Sequence, residues 1–425
     1  MLIFTQITQI FMTKYKFLFL FLICSFLGFS QVEEEVNPPD YIKTINFKGH
    51  TNESELPIIK LNERVQLSFD AINGNEDDFY YVIDHYNFDW TPSQLMKSEY
   101  LQGFDNIRIV DYENSFNTYQ IYSHYRLQLP NQQTKIKKSG NYILKIFDDN
   151  GNIVFSRKFM IYEDLTNVGV SIKRSRNVKY IKHKQSVDFK ISSPTILFNN
   201  PKQTIKVAVI QNNNLNTAIT NLKPQYTLGR ELIYKYDDES SFWGGNEYLY
   251  FENKNVRAAN IGVQYIDLKD IYEHYLFTDI IRADRPYTYA PDINGNYLIT
   301  AVDADNLDIE ADYTVIHFSL QHPEMFDNNI HVYGSFNNYA ITEDTKMTFN
   351  TTTGYYETSL ILKQGFYNYK YVMVNQNGDL DEGAISGNFD VTENNYKVLV
   401  YYRNLGARYD RLIGVDEGSS TTITN

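Results

Sequence analysis

Along Val65-Gln66-Leu67-Ser68-Phe69, apolar and polar side chains alternate one by one. A period of two puts Val65, Leu67 and Phe69 on one face and predicts a half-buried strand. Asn73-Gly74-Asn75 then interrupts the alternation as a turn does. Tyr142-Ile143-Leu144-Lys145-Ile146-Phe147 and Ile153-Val154-Phe155 flank Asp149-Asn150-Gly151-Asn152, which predicts two strands joined as a hairpin. The pattern breaks over Glu163-Asp164-Leu165-Thr166-Asn167 and restarts in Val168-Gly169-Val170-Ser171-Ile172, Ser186 to Ile191 and Thr204 to Ile210. A third set of strands is predicted at Tyr313 to Leu320, Ile330 to Phe336, Tyr355 to Leu362, Tyr367 to Val374 and Tyr396 to Arg403.

Short alternating runs separated by turn signals predict an all-β chain of tandem immunoglobulin-like or early-set β-sandwich domains. The chain has 425 residues, with 36 Tyr and 27 Phe, residue types that suit a half-buried pleated surface. We expect an N-terminal sandwich at 31–165, a middle one at 166–312, a third at 313–415 and a disordered polar tail at 416–425. One long excursion, Thr91 to Asn117, departs from the first sandwich. His331 to Val372, with its Gly334-Ser335-Phe336-Asn337-Asn338-Tyr339 turn, is similar in framework to starch-binding modules.

Lys14 and Lys16, an apolar run from Phe17 to Leu27 and small residues before Gln31 have the order of a secretory signal peptide over residues 1–30, with Met12 an alternative start. The apolar run is short for a bilayer span of ~20 residues. Removing the signal takes away two lysines and lowers the formal charge from −13 to −15, which disfavours nucleic acid and anionic lipid as partners. The one cysteine, Cys24, lies inside the signal, so no disulfide is expected and core burial must supply the stability.

Chemistry is sparse. No serine sits in a Gly-x-Ser-x-Gly elbow, and the mature chain has no cysteine nucleophile. Asp84 and His85 are strand neighbours that point apart, so Asp84-His85-Tyr86-Asn87-Phe88-Asp89-Trp90 reads as a sandwich corner rather than an acid–base pair. Asp303, Asp305, Asp308, Glu310 and Asp312 crowd one stretch as a hard-cation site would, without the glycine that turns an EF-hand loop. We expect no catalytic residue, no metal and no cofactor.

Pro38 to Thr44, Leu56 to Leu61, Tyr86 to Ser93, Glu99 to Phe104, Asp111 to Thr118, His124 to Asn131, Gly244-Gly245-Asn246-Glu247 and Tyr401 to Gly414 together resemble the type IX secretion system plug protein family of Bacteroidota. The resemblance implies a non-enzymatic periplasmic protein on the inner face of the outer membrane. Its partner would be the giant outer-membrane translocon barrel, whose opening it would seal when no cargo passes. No cargo-type sorting domain is expected in the polar run Gly418 to Asn425, in keeping with retention in the periplasm. Long loops on rigid scaffolds tend to carry function, so Trp90, Tyr100, Phe104, Tyr112 and Phe116 are the candidate partner-facing residues. The alternative is a periplasmic glycan-binding protein, but Tyr339 stands where a starch-binding module has its stacking Trp, and neither Trp90 nor Trp243 lies in the third unit.

Overall fold

Val65, Leu67 and Phe69 do share one face, and all three are buried. Their strand, Val65–Ala71, pairs between Ile42–Lys48 and Ser123–Leu129, with Asp111–Asn114 at the far edge. The facing sheet runs in the order Ile58–Lys60, Ile153–Tyr162, Gly140–Phe147, Tyr80–Tyr86 and Ile107–Arg108. Phe69 meets Phe79 and Phe155 edge-on and Tyr125 face-on at ring-centroid distances of 5.1–5.2 Å. The computed structural model describes residues 32–49 and 56–423, so the expected signal peptide at 1–30 lies outside the described residues.

The middle unit differs from the expected division. One of its sheets comprises Asn167–Arg174, Lys184–Ser192, Glu231–Tyr234 and Tyr226–Leu228, with Ser241–Trp243 also paired to Lys184–Ser192. The facing sheet joins Asn214–Ile219 and Ile205–Gln211 to Asn395–Tyr402 and Arg411–Ser419. Residues 395–402, expected in the third unit, instead pair antiparallel with Ile205–Gln211, Val207 opposite Val400 and Val209 opposite Val398. A two-residue period tells which way a side chain faces and not which strand lies beside it. The break expected at 312/313 therefore does not separate sheets: Tyr272–Leu276 runs parallel to Tyr313–Gln321 in one sheet.

The third sandwich is thus inserted into the second. Val263–Leu268, Tyr272–Leu276, Tyr313–Gln321, Tyr355–Lys363 and Thr348–Asn350 form one sheet. Leu249–Glu252, Gly365–Asn375 and Tyr297–Ile299 form the core of the other, with Asn328–Tyr333 paired along the rest of Gly365–Asn375. The expected disorder at 416–425 also fails over its ordered part. Arg411–Ser419 is a strand with Asp416 opposite Val398, and Ser420 is buried with its hydroxyl donating to Thr392 O at 2.8 Å.

His85 sits in the first core against the edge of Tyr142, its ring Nε2 3.1 Å from Ser139 O, while the neighbouring Asp84 faces Lys97 and Lys145. Burial pulls His85 down to about 4 from its ordinary 6.5. The unfolded chain therefore takes up this proton first as pH falls. Stability on this account is complete above about 6.5 and is lost between 6.5 and about 4, each tenfold difference in proton affinity contributing ~1.4 kcal/mol. Urea melts at pH 7 and pH 5 should show this loss, and His85→Phe should flatten the slope. An unchanged slope would remove His85 as its source.

Candidate functional site

The excursion is less of a free loop than its sequence suggests. Lys97–Tyr100 forms a single helical turn, and Leu101–Gly103 then pairs with Thr134–Ile136 as a two-stranded ribbon. Gly103 has φ 92°, and a Cβ there would lie 1.8 Å from Gln133 O, so only glycine lets the ribbon close. Tyr100 is consequently drawn inward. It is buried in the first core with its hydroxyl donating to Ile83 O at 3.3 Å, and burial raises its pKa. It cannot face a partner, contrary to the expectation.

Tyr112 is also engaged. It stacks on Tyr125 at 5.2 Å and donates to Glu76 Oε2 at 2.9 Å. Trp90 is half-buried at φ 60°, a left-handed conformation that bulky residues seldom adopt. Its backbone N–H donates to Asn87 O at 3.0 Å, and Lys158 Nζ lies 4.7 Å over its ring. The turn is thereby held against the junction of the first and middle units, where Phe88 meets the edge of Tyr401 at 5.0 Å.

Phe104 and Phe116 remain as outward-facing aromatics, 77% and 66% exposed. Val110, Tyr119 and Ile121 are exposed as well and were not among the expected residues; Tyr119 and Ile121 lie past Asn117, where the excursion was expected to end. Phe116 N–H donates to Ile309 O at 2.8 Å, and Tyr119 meets the edge of Tyr272 at 5.2 Å. This part of the excursion is therefore braced against the inserted unit. Tyr119-Gln120-Ile121-Tyr122 carries no local signal separating the exposed Tyr119 from the buried Tyr122, whose hydroxyl donates to Ala311 O.

The crowded acids act as acceptors. Asp312 takes the backbone N–H groups of Tyr119 and Gln120 at 2.7 and 3.1 Å, Asp308 takes Arg126 Nε at 3.0 Å, and Glu310 takes Asp305 N–H at 2.7 Å. Among the described residues no group of three or more His, Cys, Asp or Glu is arranged to hold a metal ion. The sugar-stacking position is likewise used inside: Tyr339 is buried against Tyr333 at 5.1 Å, and its neighbour Asn338 donates to Glu35 Oε2 at 2.7 Å. The face a glycan would need is covered by protein.

Several of the sequence motifs meet at joints. Between the first and inserted units, Asp70 is fully buried with Lys363 Nζ at 2.8 Å, His124 Nδ1 at 2.5 Å and the Tyr313 hydroxyl at 2.6 Å. Burial by itself would raise Asp70; the charge of Lys363 and the His124 hydrogen bond outweigh it and hold the carboxyl below its ordinary value. Between the first and middle units, Asp410 accepts from Phe88 N–H at 3.1 Å and Lys206 Nζ at 3.2 Å, and Arg411 pairs with Glu163 at 2.8 Å. Gly244-Gly245-Asn246-Glu247 marks the crossing into the inserted unit. There Phe389 N–H donates to Gly245 O at 2.8 Å, and a Cβ on Gly244 would lie 2.0 Å from Phe389 O.

Residues 42–163 match the family model described as type 9 secretion system plug protein 1st domain, a span that coincides with the first sandwich. Residues 42–163 thus carry the first domain of the type IX secretion system plug proteins. The fold of the chain is similar to that of a crystal structure of a hypothetical protein from Parabacteroides merdae ATCC 43184, at 34% identity and a TM-score of 0.88, covering 92% of this chain and 100% of that one. No curated protein matches the chain.

Proposed function

We propose that this protein is a non-enzymatic periplasmic plug that binds the outer-membrane barrel of the type IX translocon and closes its inner mouth when no cargo is being exported. The match of residues 42–163 to the first domain of the plug proteins carries this reading. The buried ion pair joining the first and inserted units supports it physically, because a lid must resist deformation as a single body. The exposed aromatics of the excursion supply contact area of the kind found at protein interfaces. Among the described residues no helix is long and apolar enough to cross a membrane.

The test is affinity capture of the tagged protein from membranes in mild detergent, together with pore conductance of the purified barrel. A very large outer-membrane barrel should co-purify, and adding the protein should lower its conductance. Recovery of no such barrel, or a conductance indifferent to the protein, would overturn the reading.

A further inference from the structure

Along Phe155-Ser156-Arg157-Lys158-Phe159 the strand alternation assigns Arg157 to the same face as two buried phenylalanines. Arg157 is only 7% exposed. A guanidinium has five N–H donors, and buried ones are ordinarily paired with carboxylates. Here Nη1 donates to Ser156 O at 2.8 Å, the one hydrogen bond the group makes among the described residues, and no ion pair accompanies it. The guanidinium carbon also lies 5.5 Å from the centre of the Phe155 ring. The Glu35 carboxylate supplies some opposing charge from nearby, but its oxygens accept from Lys158 N–H and Asn338 Nδ2 and make no hydrogen bond to Arg157.

Beside Arg157 lies a cavity of about 120 Å³ between the first and inserted units, partly open to solvent. Its wall is mainly apolar and includes Pro38, Ile42, Tyr297, Phe336 and Leu362. Arg157 and Tyr297 both line the cavity. Asp40 and Asp344 line the cavity too. Burial, and then a hydrogen bond that its protonated form donates to Asp40, raise the pKa of Asp344, and neither acid pairs with Arg157. A buried guanidinium with no carboxylate in hydrogen-bonding contact, beside an apolar hollow, is costly unless something supplies one.

We propose that this cavity is a binding site for a monocarboxylate with a short apolar body, its carboxylate forked onto Arg157 and its carbon chain lying against Ile42, Phe336 and Leu362. A planar guanidinium matches a carboxylate with two parallel hydrogen bonds. A cavity of ~150 Å³ holds a six-carbon ring, so this one suits a ligand of about five non-hydrogen atoms. That chemistry is shared by a small free acid and by the C-terminus of a peptide ending in a small residue.

Thermal melting of the full-length mature protein with sodium propionate, and with its neutral isostere propionamide, tests the site. Binding to the folded state alone raises the melting temperature by mass action, so propionate should raise it and propionamide should not. Arg157→Met should abolish the propionate response. Because removing a buried charge can itself alter folding, the Arg157 Nε–Hε resonance of the wild-type protein is followed in parallel and should shift saturably with propionate. A tetrapeptide ending in free Ala-carboxylate, compared with its amide, distinguishes the sources: a response to the free acid peptide identifies a chain terminus, and a response to propionate alone identifies a small acid. Equal effects of propionate and propionamide, an unmoved Arg157 resonance, or an undiminished response in Arg157→Met would overturn the proposal.

Discussion

Lys363→Met should destabilise the protein by about 3–5 kcal/mol, the cost typical of stranding one half of a buried ion pair. Lys363 is 1% exposed at its side chain and its partner Asp70 is fully buried, so no water is at hand to replace the lost charge. Lys363 also donates to Asp308 O at 2.8 Å and lies 4.2 Å over the Tyr122 ring, so methionine removes a hydrogen bond and a cation–π contact together. Asp70→Asn in the Lys363→Met background should recover part of the loss, because the carboxylate left behind accounts for much of it. The cycle of single and double variants, followed by chemical denaturation, isolates the pair. A Lys363→Met variant as stable as wild type would show that the ion pair does not hold the first and inserted units together. The sign with pH follows from Asp70: its stabilisation is present above the unfolded carboxyl value and is lost as pH falls through its lowered folded value, so the joint weakens only in strong acid.

The double variant Phe104→Glu/Phe116→Glu should lower capture of the translocon barrel by at least about tenfold while leaving stability nearly unchanged. Both rings are largely exposed and make little contribution to the core. Surface changes of this kind usually move stability by less than ~0.5 kcal/mol. Burying a Phe side chain against a partner contributes ~1.5–3 kcal/mol, and a carboxylate placed there adds desolvation against it. Matched melting curves and quantitative pull-downs of wild type and variant check both halves. Capture equal to wild type would remove Phe104 and Phe116 from the interface, leaving Val110, Tyr119 and Ile121 to be tested separately.

The alternation of Val65, Leu67 and Phe69 was enough to identify strand and face, because in a sandwich the core selects one face of each strand. Partner choice was not legible. Val398 and Val400 alternate just as they would in the third unit, and only the whole structure shows Val209 and Val207 opposite them. The polar tail was misread for a related reason: in Arg411–Ser419 the backbone pairs with Asn395–Tyr402 whatever its side chains do, even at Glu417, whose side chain stays in solvent. Of the candidate residues, Phe104 and Phe116 could be read as exposed from their place in a long excursion. Tyr100 could not, because its burial depends on a ribbon closed through Gly103, a contact between residues thirty or more positions apart. Arg157 carried a usable signal that went unread, a charge on the apolar face of an alternating run.

The insertion also governs when the molecule becomes whole. Ile205–Gln211 is made early in the chain, yet one of its two neighbours, Asn395–Tyr402, arrives only after the entire inserted sandwich. A chain made N-terminus first would hold Val207 and Val209 beside an open strand edge until its last segment is in place, a template for aggregation in the meantime. A copy truncated anywhere before Asn395 would keep that edge unpaired, so the last fifteenth or so of the chain decides whether the middle sheet is closed.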